Sequence, residues 1–211
     1  MAAPTPTGDG SLPLRERKKL RTRRALADVA LRMFTEKGFD ATTVDELVDA
    51  VEVSKSTFFR TFATKEAVAI EAEVELWSAY VAALEAHTLS GLVLVELRDT
   101  LCRVVTELGP EWGERYVATR RLVLTAPSLL AYTAHHRAGV VQRINEQLTA
   151  ELGLPSDDLR LQALAELAIT GWSIAARAWV HTGGGSLQLL LTRVERAFEA
   201  ITAGLDLSAD A

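Results

Sequence analysis

The chain has 211 residues, 48% of them hydrophobic, and a formal net charge of −5. That length holds one large domain, or a small one joined to a larger one, with ample apolar material for a core. A single cysteine, Cys102, excludes an intramolecular disulfide, and no apolar run is long enough to span a bilayer, so the sequence reads as a cytoplasmic protein without a membrane partner.

The opening "MAAPTPTGDGSLP" is rich in Pro, Gly and Thr and lacks a signal-peptide core, which predicts a disordered tail over residues 1–13. A first helix is expected from Leu14 to Lys37. It opens with "RERKKLRTRR", seven cations against Glu16, and continues with the apolar stripe Leu26, Val29, Ala30, Met33 and Phe34 before Gly38 stops it. Thr43 with Glu46 three residues on is a capping box for a short helix, Val44 to Ala50, that buries Leu47 and Val48. "VEV" is a tight turn, and Ser54 caps another short helix, Lys55 to Thr61. Thr64 is positioned to cap a long helix that runs through Trp77 and Tyr80 to about Ala86.

"HTLSG" then breaks the pattern, and a helix carries Leu97, Leu101, Val104, Val105 and Leu108 up to the break at "GP" (109–110). Glu111 to Thr125 is helical, with Trp112, Tyr116, Arg120 and Val123 on one side. Pro127 suits the first turn of the next helix, to about Leu152. Ser156, with Asp157 and Asp158 in the first turn, starts a helix to Thr182; "GGGS" (183–186) is a flexible turn; a last helix follows from Leu187 to about Ala203. The expected fold class is all-α, with about nine helices and no strand. Three regions are expected: the tail (1–13), a small helical domain with two short helices (14–65), and a larger helical domain (66–211).

Charge separates these regions. Residues 14–65 carry a net +4, whereas the chain from Glu66 onward carries −8. One end of the molecule attracts polyanions while the rest repels them. Short helix, tight turn, short helix is the sequence form of a helix-turn-helix, whose second helix lies in the DNA major groove. On that helix Lys55, Ser56, Thr57 and Arg60 can bond base edges or phosphates, while Val53, Phe58 and Phe62 face inward. The capped helix starts at Thr43, Ser54 and Thr64 aim backbone N–H groups outward, and Lys65 adds a charge beside the last. Taken alone, the same segment also fits an ordinary corner between two helices; the basic arm before it favours DNA.

The stretch "RALADVALRMFTEKGFDATTVDELVDAVEVSKSTFFRTFATKEAV" resembles the N-terminal DNA-binding domain of the tetracycline-repressor (TetR) family. The resemblance covers about Leu20 to Val68. Phe34, Gly38, the Thr42–Thr43 pair, Val53–Ser54, Thr57, Phe62 and Lys65–Glu66 stand at family spacing. It implies an all-α homodimer that binds a palindromic double-stranded operator, usually represses, and releases DNA when a small molecule enters the C-terminal domain. It also implies phosphate contacts from Thr43 and Lys65. Four positions depart from the pattern. Glu52 stands where glycine is usual, Ser56 replaces Gly or Pro, Phe59 stands where a tyrosine often donates to a phosphate, and Thr61 replaces a histidine. The DNA-binding candidates are therefore Thr43, Ser54, Lys55, Ser56, Thr57, Phe59, Arg60 and Lys65, with Phe59 limited to apolar packing. The stretch "RRLVLTAPSLLAY" (120–132) resembles regulators found near mycofactocin clusters, which implies an acyl-CoA-like effector.

In the C-terminal half, Leu187, Leu190, Leu191, Val194, Phe198, Ile201 and Leu205 form a continuous stripe, opposite the small residues Ala168, Gly171, Ala175 and Ala178. The expected dimer interface is a four-helix bundle across a two-fold axis, through Gly171, Ala175, Leu187, Leu191, Val194 and Phe198; the competing reading makes the stripe part of the chain's own core. Trp77, Tyr80, Trp112, Tyr116, His136 and Trp172 fall on inward faces, as core or as the apolar walls of a ligand cavity. An inward Arg120 either meets an anionic group on a small apolar effector or pairs with a nearby Glu.

No enzyme chemistry stands out. His135 and His136 are adjacent, so on a helix they point about 100° apart and cannot share a metal. "GGGS" lacks the Lys-Ser/Thr of a phosphate loop, and Cys102 has no evident base. No catalytic residue, metal site or cofactor is expected. Two alternatives stay open: a DNA-binding dimer without a ligand, and a helical enzyme or carrier.

Overall fold

The computed structural model describes residues 13–208, and every regular element among them is a helix. These are α1 (Leu14–Lys37), α2 (Val44–Ala50), α3 (Lys55–Thr61), α4 (Lys65–Ala69), α5 (Glu71–Glu85), α6 (Val93–Val123), α7 (Pro127–Leu152), α8 (Leu159–His181) and α9 (Leu187–Leu205). The proposed tail at 1–13 lies outside the described residues except for Pro13.

The expected number of helices is met through two compensating differences. The long helix from Thr64 breaks at Ile70 (φ −102°, ψ 20°), giving α4 and α5. Conversely, the two helices expected on either side of "GP" form one element, α6, bent where Gly109 leaves helical geometry (φ 79°, ψ 175°) just before Pro110. Gly109 and Pro110 do interrupt the regular helix, but a glycine at positive φ followed by proline bends the helix path here rather than opening a loop. Asp158, not Ser156, caps α8, its carboxylate accepting from the Arg160 amide at 2.9 Å.

Two compact units result, 13–69 and 70–208, so the boundary falls four residues later than the sequence suggests. In the first, α1 packs against α2, α3 and α4 around Leu26, Phe34, Leu47, Phe58, Phe62 and Val68. In the second, α5 to α9 enclose a core that includes Leu76, Leu101, Val105, Ile144, Ile169, Val194 and Phe198. No helix among the described residues is long and apolar enough to cross a membrane.

Candidate nucleic-acid interface and effector region

Within the first unit, the local chemistry of the loops sets the geometry of α2 and α3. The Glu46 amide donates to Thr43 Oγ1 (3.2 Å) and the Thr43 amide donates to Glu46 Oε2 (2.8 Å), the reciprocal capping box expected from sequence. Lys37 Nζ bonds the same carboxylate at 2.8 Å, and with the Thr43 amide it holds the Glu46 carboxyl down at about 2. The turn closes through the Val53 amide on the Val48 carbonyl (3.0 Å). Ser54 Oγ then accepts from the Thr57 amide (3.1 Å) and starts α3. Thr64 Oγ1 does the same for the Ala67 amide (3.1 Å) and starts α4.

Phe58 and Phe62 are buried, their ring centroids 6.0 Å apart, and they fix the inner face of α3. Its outer face therefore carries Lys55, Ser56, Phe59 and Arg60, all exposed, with Ser54 exposed at the cap and Thr57 half-buried beside it. Ser54 Oγ lies 2.8 Å from Ser56 Oγ and 3.0 Å from Thr57 Oγ1, so the three hydroxyls form one polar cluster. Lys55 Nζ pairs with Asp45 on α2 at 2.5 Å, which places the ammonium while leaving it open to solvent. Phe59 is 54% exposed and stands edge-on to Phe58. A protruding ring among cations and hydroxyls suits apolar contact with a thymine methyl.

Lys65 is more occupied than a free phosphate ligand. Its ammonium donates to the carbonyls of Phe39 (2.9 Å) and Thr42 (3.0 Å) and sits 4.1 Å over the Phe39 ring. Of its three donors two are spent on the α1–α2 loop. Glu52, at the turn position where glycine is usual in the family, has φ 56°, a left-handed backbone that non-glycine residues adopt at a cost.

In the second unit the aromatic residues come together. Trp112 lies 5.1 Å from Tyr116 and 6.2 Å from Trp172; Trp172 lies 5.4 Å from Tyr116 and 6.1 Å from Trp77; Trp77 lies 5.9 Å from Tyr80. Their polar handles are satisfied inside: Trp112 Nε1 donates to the Ala72 carbonyl (2.9 Å), Trp172 Nε1 to Tyr116 Oη (3.0 Å), and Tyr80 Oη to the Leu97 carbonyl (3.0 Å). Burial pushes both phenols up from their ordinary value. The rings thus pack on one another where the sequence reading allowed a cavity. His136, on α7, is half-buried with Nε2 enclosed and unpartnered; burial, Arg143 and His135 all push its pKa down.

Arg120 does not wait for an anionic ligand. Its guanidinium bonds Glu73, a carboxylate on α5 that is 4% exposed. Burial lifts the Glu73 carboxyl above its usual range, and Arg120 opposes that lift. Sequence reading named Arg120 but not Glu73. The signal was present, since Glu73 shares the helical stripe of Trp77 and Tyr80. A separate cleft of about 400 Å³ lies between α6 and the α8–α9 turn, lined by Pro110, Gly113, Glu114, Val117, Trp179 and residues 183–187.

The positions expected to form the dimer interface are used by the chain itself. Gly171, Ala175, Val194 and Phe198 are buried, and Leu187 and Leu191 are partly buried against the same core. A Cβ on Gly171 would stand 2.4 Å from the Phe198 ring, so that glycine admits an aromatic residue of its own chain. The outward stripe of these two helices is a different one: Ala163, Ile174 and Ala178 on α8, and Leu189, Ala200 and Ala203 on α9.

Comparison with known proteins decides what this arrangement belongs to. Residues 26–72 match the model of bacterial regulatory proteins of the tetR family, and residues 97–206 match the MftR C-terminal domain. The regulator TcmR of Streptomyces glaucescens is 32% identical over 209 residues, covering 93% of this chain and 88% of that protein. The chain belongs to the TetR family of transcriptional regulators.

MftR of Mycobacterium tuberculosis, whose name assigns it to the regulation of mycofactocin biosynthesis, is 25% identical over 90% of this chain and 94% of its own. Among solved structures, a regulator from Aquifex aeolicus aligns with a TM-score of 0.54 at 17% identity over 85% of this chain and 99% of its own. A regulator from Mesorhizobium loti aligns with a TM-score of 0.53 at 16% identity over 89% and 98%. At such identities these two establish the shared fold. The family is one of transcriptional regulators, and no enzyme is implied by it.

Proposed function

We propose that this TetR-family regulator is a cytoplasmic homodimer that represses transcription by placing two copies of α3 in successive major grooves of a palindromic operator. The observation that carries this reading is the outer face of α3, where Lys55, Ser56, Phe59 and Arg60 are exposed over a scaffold locked by Phe58 and Phe62. Ser54, Thr57 and the helix starts at Thr43 and Lys65 supply phosphate contacts around it. Dimerisation uses the outward stripe of α8 and α9. The large apolar side chains that this stripe leaves exposed, Ile174 on α8 and Leu189 on α9, support it.

The effector is a small apolar molecule that enters the ring cluster of Trp77, Tyr80, Trp112, Tyr116 and Trp172. Parting these packed rings would open an apolar lining of the kind such a site needs. Because Arg120 is already paired with Glu73, the effector has no need of an anionic end. Release follows if the ligand prefers a conformation in which the two α3 helices are wrongly spaced; a coupling of roughly 1–3 kcal/mol lowers operator affinity ~5–150-fold. The close ring contacts also favour a second reading, a DNA-binding dimer with no effector. Titrating the protein–operator complex with uncharged aromatic and acyl compounds, while following tryptophan fluorescence, separates the two. Release with a fluorescence change supports the effector; neither change with any compound leaves the ligand-free dimer. Deleting the gene should raise transcription next to the bound sites, and a fall there would make the protein an activator.

A further inference from the structure

The match to the family's DNA-binding domain begins at residue 26, yet α1 begins at Leu14. Residues 13–21 are exposed, so about two turns of this helix extend past the first unit's core, which α1 enters at Leu26. The extension carries Arg15, Arg17, Lys18, Lys19 and Arg21 against the lone acid Glu16. Like charges meet at three- and four-residue spacing in the pairs Arg15–Lys18, Arg15–Lys19, Arg17–Arg21 and Lys18–Arg21, each of which opposes the helix. Cations near a helix N-terminus also face the positive end of the macrodipole. Such a segment is held against its own electrostatics, and a polyanion alongside would relieve both penalties.

Charge alone would fit any polyanion; position selects one. Two residues after Arg21, Arg23 donates from Nη1 to the carbonyl of Thr61, the last residue of α3, at 2.9 Å. Its guanidinium also lies 4.5 Å over the ring of Phe62, the residue that fixes the inner face of α3. The basic extension is therefore tied to the end of the helix that reads DNA. From Arg23 back to Arg15 it spans ~12 Å at the helical rise, comparable with the ~12 Å width of a major groove.

We propose that residues 15–21 of α1 form a second DNA-binding element that grips the phosphates flanking each half-site, outside the bases read by α3. This rests on the DNA-binding reading above. The element is indifferent to sequence and sets affinity, salt dependence and footprint length, while α3 sets which sequence is bound. Neutralising its charges on DNA also removes the repulsion within it, so the extension gains helix stability in the complex.

The test uses the full chain and a genomic fragment that it selects. In one variant Arg15→Gln, Arg17→Gln, Lys18→Gln and Lys19→Gln are combined; these positions are exposed, and glutamine has nearly the same helix propensity. The variant should select the same sequence but bind it more weakly, with the slope of log K against log salt shallower by about 2 per protomer. Wild type should bind more tightly as flanking base pairs are added outside the half-sites, and the variant should not. The pair Arg15→Lys with Arg17→Lys should retain wild-type behaviour, which separates charge from folding. An unchanged salt slope and flank dependence in the glutamine variant would overturn the proposal, as would a loss confined to heparin binding. If wild type itself selects no DNA, the DNA-binding reading falls instead.

Discussion

At the scale of single residues, two positions in the first unit carry opposite lessons. Glu52 holds φ 56° in the α2–α3 turn and presents an exposed carboxylate just before the helix proposed to read DNA. Glu52→Gly removes both the backbone cost and the charge. We expect thermal unfolding to show a gain of up to ~1 kcal/mol, and operator affinity to rise; a variant that is less stable and binds more weakly would contradict this. Lys65 works the other way. Because it holds the Phe39 and Thr42 carbonyls, Lys65→Ala should lower the stability of the unit by ~1–2 kcal/mol. It should also flatten the salt slope of DNA binding by about one unit per protomer. A flattened slope with unchanged stability would make it a phosphate ligand alone. A stability loss with an unchanged slope would make it a structural clamp alone.

At the scale of elements, the sequence revealed local structure better than it revealed what each apolar face meets. The caps at Thr43, Ser54 and Thr64 were legible because each is a short-range exchange between a side chain and an amide three residues on. The bend at Gly109 and the start of α7 at Pro127 were legible because glycine and proline act on their own backbone. The break at Ile70 was not, since no glycine or proline marks it. The stripe of Leu187, Val194 and Phe198 was visible as apolar, but periodicity cannot say whether the cover comes from the same chain or another. Here α6 and α8 supply it. A Glu partner for Arg120 was one of the two readings, but which Glu was not legible, because only tertiary contact joins Glu73 on α5 to Arg120 on α6, residues 47 apart. Breaking this pair should be costly in one direction. Arg120→Met strands the buried Glu73 carboxylate and should destabilise the second unit by roughly 2–4 kcal/mol at neutral pH. Adding Glu73→Leu should recover most of it. Denaturant titrations of the two single variants and the double variant would measure the coupling, and additive losses would show that the pair is not ionised together.

At the scale of the whole molecule, reading a palindrome requires a two-fold partner, and the outward stripe on α8 and α9 is the face proposed for its docking. Ile174 is 48% exposed in the single chain, so Ile174→Glu should be harmless to the fold but should bury a carboxylate in the dimer. Sedimentation should then show folded monomers whose operator binding is at least ~10-fold weaker, a loss of about 1.4 kcal/mol or more. Leu191→Glu with Phe198→Glu should instead unfold the second unit, because Phe198 is only 3% exposed within it. A folded dimer in the Ile174 variant would move the interface elsewhere. The claim on which all of this depends is that two α3 helices read one palindromic site. Sequencing the genomic DNA fragments selected by the full-length protein tests it most directly. The account predicts an enriched inverted repeat, with half-site centres separated by one or more turns of the double helix, ~34–36 Å each. Fragments with no shared sequence, or with a single unrepeated motif, would contradict it.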